Sequence, residues 1–532
     1  MPLVSLALLA SFLVPQDSAA STRAEKPVKN SLRGFELMAL PKLEAPLLCE
    51  PCFVPRNPRS GLAWLATHKK KKKKNDTTGT FKVLSYDQGS LRLETGTEFA
   101  LPTGYEKILA RRRPRAQMMP WIGQRKDWTL SIGRLPLAPL FIPPHRMSLL
   151  QRFPIVLQAS DCPRASDLDR DGEPELWFLP LEIPTDGGST QPIPEIITAP
   201  GSQQSNWTKL DEDWQKELTH NRSVRFWDLD EDQYEDLIAM RGAQPALSFK
   251  NSSNLQLDRL PKDSGLLSSS NVPLRQNELC LGPKRRALQW ALAYGSIARQ
   301  PLLLLRKGVE LSFHEFGSFS PALAHVHVLD ARIFDFDGDA KEELLVLVQS
   351  YRKPTPTSRP NGPQTPRRSP SLLEGATPEL RIYKLGRTES TSPVLIDEGV
   401  MIPGATGLCI GDLDGDAAPD LVVLRGLDHP RLYRNVAFNP RTARFFRLAL
   451  RGPEDWRQMI GSYIDVYDPD SEERLARFRW PPLHAADQPL LWLTYELDQN
   501  APLAGLLVNW ADGQALPLED LVRGEYRFEK RD

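Results

Sequence analysis

The chain is poor in cysteine and histidine, has no net charge, and has no long apolar run beyond its first twenty residues. Five Cys form too sparse and too odd a set for disulfides to be the main stabiliser, even in an oxidising compartment. Cys49 and Cys52 make a CxxC, but Phe53 follows where c-type haem attachment needs a histidine, and no second CxxC completes a zinc site. The pair reads as a local disulfide or two inert thiols. Cys162 and Cys409, each just ahead of an acidic stretch, read as buried thiols. Lys and Arg together number 67, and so do Asp and Glu. That balance leaves no net field to recruit nucleic acid or an anionic membrane, so any electrostatic function has to come from local clusters. No later apolar stretch reaches the roughly 18 residues of a membrane-spanning helix.

Catalytic motifs are equally scarce. GxSxG, HExxH, a P-loop and a strand-linked GxGxxG are all missing, and eight His are scattered, with His325 and His327 the one close pair. Those two alternate along a strand-like stretch and read as ordinary strand histidines. The expectation is a protein that is not an enzyme. The enzymatic alternative is a hydrolase or lyase acting on polysaccharide, with paired carboxylates meeting in a central channel.

What the chain does have is length, proline and acidic repeats. With 532 residues it exceeds one core, and 48 Pro suit many short strands joined by turns. An apolar run from Leu3 to Val14, then Ser18-Ala19-Ala20, fits a signal peptide over residues 1–20 although no basic residue precedes it. Export follows, to a secreted, periplasmic or cell-surface location. Residues 21–80 are Pro-rich and irregular, and contain the lysine run Lys69 to Lys74, read as solvated loop. Residues 352–378 are rich in Pro, Ser and Arg and read as a disordered insertion. Sequons stand at Asn75, Asn206, Asn221 and Asn251.

Four segments share one grammar, with acidic residues at the first, third, fifth and ninth positions and an apolar strand-forming run directly after. The first runs from Asp167 through Asp169, Asp171 and Glu173 to Glu175. The second runs from Asp228 through Asp230, Asp232 and Tyr234 to Asp236. The third runs from Asp335 through Asp337, Asp339 and Lys341 to Glu343, and the fourth from Asp412 through Asp414, Asp416 and Ala418 to Asp420. Alternate residues of a tightly curled loop aim their side chains at one point. Three Asp oxygens meet there, the seventh residue adds its backbone carbonyl, and the ninth swings its carboxylate back. An all-oxygen shell of this size and softness suits Ca²⁺. An EF-hand would place a bidentate Glu at position twelve. Phe178, Ala239, Val346 and Val423 stand there instead, which excludes that motif four times.

The stretch GDLDGDAAPDLVVL, Gly411 to Leu424, resembles the FG-GAP or VCBS repeat of integrin α-chain propellers and exported bacterial proteins. The resemblance implies that each loop joins two strands of a four-stranded propeller blade and binds calcium there. The glycine usual at position six is kept as Gly172 and replaced by Gln233, Ala340 and Ala417. First Asp residues at 167, 228, 335 and 412 are 61, 107 and 77 apart, and the longest gap suits two blades. Within it Pro301-LLLLRKG reads like Pro419-DLVVLRG, putting Tyr294, Ser296, Ala298 and Leu302 at ligand positions of a copy that binds no metal. The expected fold is all-β: a β-propeller over residues 81–445 with seven blades, six being the alternative. A small β domain follows over 446–532. Its LALRG at 448–452, Ile460-Gly461 before YIDVY, and VNWADG from Val508 to Gly513 resemble the ASPIC/UnbV domain. That family's Gly-rich middle segment and FGLG are missing. The function expected is a calcium-stabilised scaffold whose loops on one face contact a protein or glycan partner.

Overall fold

The computed structural model describes residues 32–38, 166–168, 170 and most of 223–352, 376–480 and 491–529, with the backbone of further strands between 48 and 208. Among the described residues every element longer than a single residue is a β-strand. Residues 1–20, expected to be a signal peptide, the lysines at 70–74 and residues 353–370 of the expected insertion lie outside the described residues.

Among the described residues seven antiparallel sheets follow one another along the chain, each a meander of neighbouring strands. The first spans strands from Leu48–Phe53 to Ser90–Ala100, the second from Pro120–Gly123 to Leu140–Ile142, and the third from Ser160–Ser166 to Trp207–Thr208. Next come Ser223–Trp227 to Leu257–Arg259, Glu278–Arg285 to His314–Glu315, and Val326–Phe334 to Val394–Met401. The seventh takes Gly407–Gly411, Asp420–Arg425 and Asp428–Asn435 from this end of the chain and its outer strand, Phe35–Leu37, from the other. First strands of successive sheets touch from the second to the seventh, and that of the seventh touches Leu48–Phe53 of the first.

The apolar runs behind the acidic segments explain why these sheets stand face to face. In the sixth sheet Leu344, Val346 and Val348 enter one core while Leu345 and Leu347 enter another. A strand with period-two side chains and both faces apolar is a middle strand between two neighbouring sheets. The fifth sheet repeats the pattern, with Trp290, Leu292 and Tyr294 on one side and Ala291 and Ala293 on the other. Cys280 lies in the core between the fifth and sixth sheets, where burial pushes its thiol up to about 12.

Adjacent sheets are also latched by polar bonds from a strand of one sheet to the acidic turn of its neighbour. Asn251 Nδ2 donates to Leu168 O (2.7 Å), Arg306 Nη1 to Leu229 O (2.5 Å) and Asn435 Nδ2 to Phe336 O (2.7 Å). Each time, a third-strand side chain reaches the second residue of the acidic segment in the preceding sheet. Asn251, although in a sequon, is fully buried by this bond.

Several expectations are corrected by the strands. The segment read as irregular up to residue 80 carries strands Leu48–Phe53 and Ser60–Lys69 and the start of Thr77–Asp87. Cys49 and Cys52 share one extended strand, so their Cα atoms are about 10 Å apart, beyond disulfide reach. Ser371–Leu372 of the expected insertion pairs with Tyr351 and Arg352. The 294–302 segment joins the second and third strands of its sheet, whereas the acidic segments join first and second strands. The true counterpart in the fifth sheet is the tight turn at Arg286 and Ala287, with Arg286 at φ +47.

The C-terminal residues build a further core between a three-stranded sheet, in which Phe445–Arg451 runs parallel to Gly524–Glu529, and a four-stranded one. The four-stranded sheet continues the fifth sheet without a break, because Lys284 and Arg285 pair with Arg477 and Ala476. One eight-stranded sheet thus runs through both parts of the chain.

Phe35 is buried against Phe336, with ring centroids 5.2 Å apart, in the core of the sixth and seventh sheets. Phe35→Ala is expected to lower unfolding free energy by about 3 kcal/mol. Leu37→Ala, in the same strand but 49% exposed, should stay within about 0.5 kcal/mol of the parent. Denaturant midpoints of the two variants check whether this distant strand closes the seventh sheet.

Candidate metal centre

The second, third and fourth acidic segments adopt one hydrogen-bonding scheme. The ninth-position carboxylate accepts the second residue's amide: Leu229 N to Asp236 (2.8 Å), Phe336 N to Glu343 (3.0 Å) and Leu413 N to Asp420 (2.8 Å). Third-position carboxylates accept the fifth amide, and fifth-position carboxylates accept the seventh. These are the Asx turns that Asp favours where a chain reverses tightly. Position six takes the left-handed conformation without glycine, at φ +75 for Gln233, +61 for Ala340 and +73 for Ala417. Each such residue stores about 1 kcal/mol of backbone strain, offset by the bonds around it.

The scheme brings carboxylate oxygens of Asp228, Asp230 and Asp236 within 4.8 Å of one another, and does the same for Asp335, Asp337 and Asp339 and for Asp412, Asp414 and Asp420. Asp232, Asp416 and Glu343 are not members of these trios. Ala239, Val346 and Val423, at position twelve, are fully buried in the following strands. In the first segment Asp167 is buried, Glu175 opens the strand Glu175–Pro180, and Asp169, Asp171 and Glu173 lie outside the described residues.

The donors fit a hard cation, since every converging atom is a carboxylate oxygen. Asp228 Oδ1 is buried with no hydrogen-bond partner, and the buried Glu343 Oε1 has Lys384 Nζ 3.5 Å away. Burial dominates the electrostatics and holds these carboxyls above their usual range. Asp335 and Asp414 are raised to about 6, Asp228 to about 7, Asp236 to about 8 and Glu343 to about 9, and Asp420 is also well up. Neighbouring Asp residues push the same way, and Arg477 beside Asp228 and Arg285 beside Asp335 oppose them.

Sequence reasoning missed two sets of basic partners. Lys250, Lys384 and Arg434, on third strands, turn back onto the trios. A signal was present: Phe249-Lys250-Asn251 and Tyr433-Arg434-Asn435 each start thirteen residues after the ninth-position acid. Tyr383-Lys384 belongs to the same set, displaced by the insertion.

The second set comes from the C-terminal residues. Arg477 faces Asp228 (3.4 Å), Arg447 pairs with Asp412, and Thr494 hydrogen-bonds Asp335, so the first-position Asp of the second, third and fourth segments each meets a C-terminal side chain. Tyr463 donates to Glu235 (2.9 Å) and accepts from Asp228 N (2.7 Å), and Arg479 pairs with the same buried Glu235. At the first segment Arg170 donates to Ala511 O (3.3 Å) in the turn of the VNWADG stretch, which Gly513 completes at φ +88. The described acidic loops therefore face the chain's own C-terminal part, and no side-chain pattern within the loops signals it.

Each raised carboxyl binds its proton more tightly folded than unfolded. Its contribution is complete below the unfolded value near 4 and is lost as pH rises through the folded one. In chelator, stability is expected to fall from about pH 5 to about pH 9, by about one proton per group in its own window. Glu343→Gln should remove the upper part of that slope. Unfolding midpoints across pH, with and without the substitution, measure it.

No family model matches the chain, and no curated protein matches it, so the repeat and C-terminal resemblances rest on the residues quoted for them. Among solved structures 46 chains match. One, described as the crystal structure of BBS1N in complex with ARL6DN, soaked with lead, is 13% identical and aligns over 68% of this chain and 92% of that one, with a TM-score of 0.27.

Proposed function

We propose that the chain is an exported, non-catalytic scaffold: a seven-bladed β-propeller whose acidic loops bind Ca²⁺ and whose C-terminal β domain is docked on the loop face. Support for the propeller comes from first strands that touch in order and from the N-terminal strand that completes the last sheet. The observation that carries the calcium reading is the common scheme of three loops, each gathering three carboxylates from nine residues around one point. Asp228, Asp230 and Asp236 would hold one ion, Asp335, Asp337 and Asp339 a second, and Asp412, Asp414 and Asp420 a third, with the first segment as a fourth site. A bound ion supplies the positive charge these buried carboxylates need, and so rigidity to the hairpins that present the loop face.

Paired acids in a channel, as a polysaccharide-acting enzyme requires, would lie on the first strands. Asp330, on the first strand of the sixth sheet, is already committed: it accepts Ala331 N and Leu408 N and pairs with Arg332. Among the described residues no helix is long and apolar enough to cross a membrane. The partner is a protein or glycan, met on surfaces other than the covered parts of the acidic loops.

Metal analysis of dialysed protein in millimolar calcium is the direct test. Asp337→Ala and Asp414→Ala should each remove one ion, whereas Arg286→Ala, in the hairpin without acids, should remove none. Sites of this class in extracellular modules have dissociation constants of about 0.1 to 1 mM. A hundredfold excess of ion over such a constant stabilises the folded state by about 2.7 kcal/mol per site. Chelation should therefore lower the unfolding midpoint, and parent protein without bound ions would end the calcium reading.

A further inference from the structure

We infer that Lys250, Lys384 and Arg434 are resident counter-cations that set how strongly each acidic loop takes up a divalent ion, an inference that rests on the calcium reading above. All three occupy one place in the architecture. Lys384 pairs in register with Glu343, the ninth-position acid. Lys250 and Arg434 each follow a residue paired with the position just after that acid, Phe249 with Leu237 and Tyr433 with Leu421. Each of these basic residues also follows an aromatic ring that is buried in the core, which fixes the strand and so the direction in which the next side chain leaves it.

Their charged ends lie over the loops. Lys384 Nζ is 3.1 Å from Asp337, 2.6 Å from Asp339 and 3.5 Å from Glu343. Arg434 Nε is 2.7 Å from Asp414 and its Nη2 3.0 Å from Asp416. Lys250 pairs with Asp230 and lies 3.2 Å from Asp232. In every loop the tethered cation engages the third-position Asp, which is also a member of the trio. A divalent ion and the tethered charge thus draw on the same oxygens. Without the ion, the tethered cation neutralises part of the cluster. With the ion, two positive centres sit a few ångströms apart and repel.

The full-length chain is titrated with calcium chloride by calorimetry, and its unfolding midpoint is read in chelator and in millimolar calcium, for the parent, Lys384→Met and Arg434→Met. Removing one positive charge near a divalent ion should tighten calcium at that loop about tenfold. It should also lower the midpoint in chelator, with the deficit closing as calcium is added. Lys384→Gln and Lys250→Met serve where a variant fails to fold, judged by circular dichroism. If parent and folded variants bind equally tightly, the inference is overturned while the calcium reading stands. If the variants bind an ion that the parent does not, the inference holds and the calcium reading of the native chain is lost. If none of them binds, both fall.

Discussion

The structure turns on the ninth-position carboxylate of each acidic segment. Asp236 and Asp420 each accept two backbone amides, one from the loop and one from the third strand, and so fasten the hairpin to the strand beside it. That geometry places an acid at the buried root of the loop, where its charge is poorly solvated, and several more acids around it. A carboxylate out of water costs free energy unless a positive group answers it. Much of what surrounds the loops can be understood as that answer.

Three sources of positive charge converge. The sheet itself supplies Lys250, Lys384 and Arg434 from its third strands. The C-terminal part supplies Arg447 and Arg477 to first-position Asp residues, and Arg474 and Arg479 to Glu231 and Glu235. Lys284 and Arg285, from the hairpin that has no acids, reach Glu231 and Glu342 in the loops on either side. The sheet whose turn carries no acids is a basic neighbour to the acidic loops on either side of it. It is also the sheet whose first strand pairs with the C-terminal part, so the same hairpin offers charge to the loops and a backbone ladder to the residues that pack on them.

This arrangement changes what the loop face can be used for. Tyr463, Arg477 and Arg479 are buried there together with Ser166 and Glu235. A buried network of that kind is strongly destabilised when one partner is removed, which ties the C-terminal part rigidly to the acidic loops. In the proposed scaffold the ions act on stability and on the docking of the chain's own domain.

The sequence by itself determined the strand character, the acidic repeat and the exclusion of an EF-hand, because these depend on spacing within a dozen residues. Continuous apolar runs marked the strands after the acidic segments, and Asp at alternate positions marked the turns. Where the alignment of a repeat rested on apolar letters alone, as with Pro301-LLLLRKG, it slipped to the wrong pair of strands, since every strand of a meander offers a similar run. Even the aromatic–basic pattern ahead of Asn251 and Asn435 carried no meaning until strand pairing set it against the ninth-position acid. Only the tertiary structure decided the closure of the seventh sheet by Phe35–Leu37, the Arg286 turn as the counterpart of the acidic loops, and the meeting of Arg477 with Asp228. Contacts between residues hundreds of positions apart depend on how sheets stack and on which hairpin ends share a face, and no local pattern of charge or hydrophobicity encodes that.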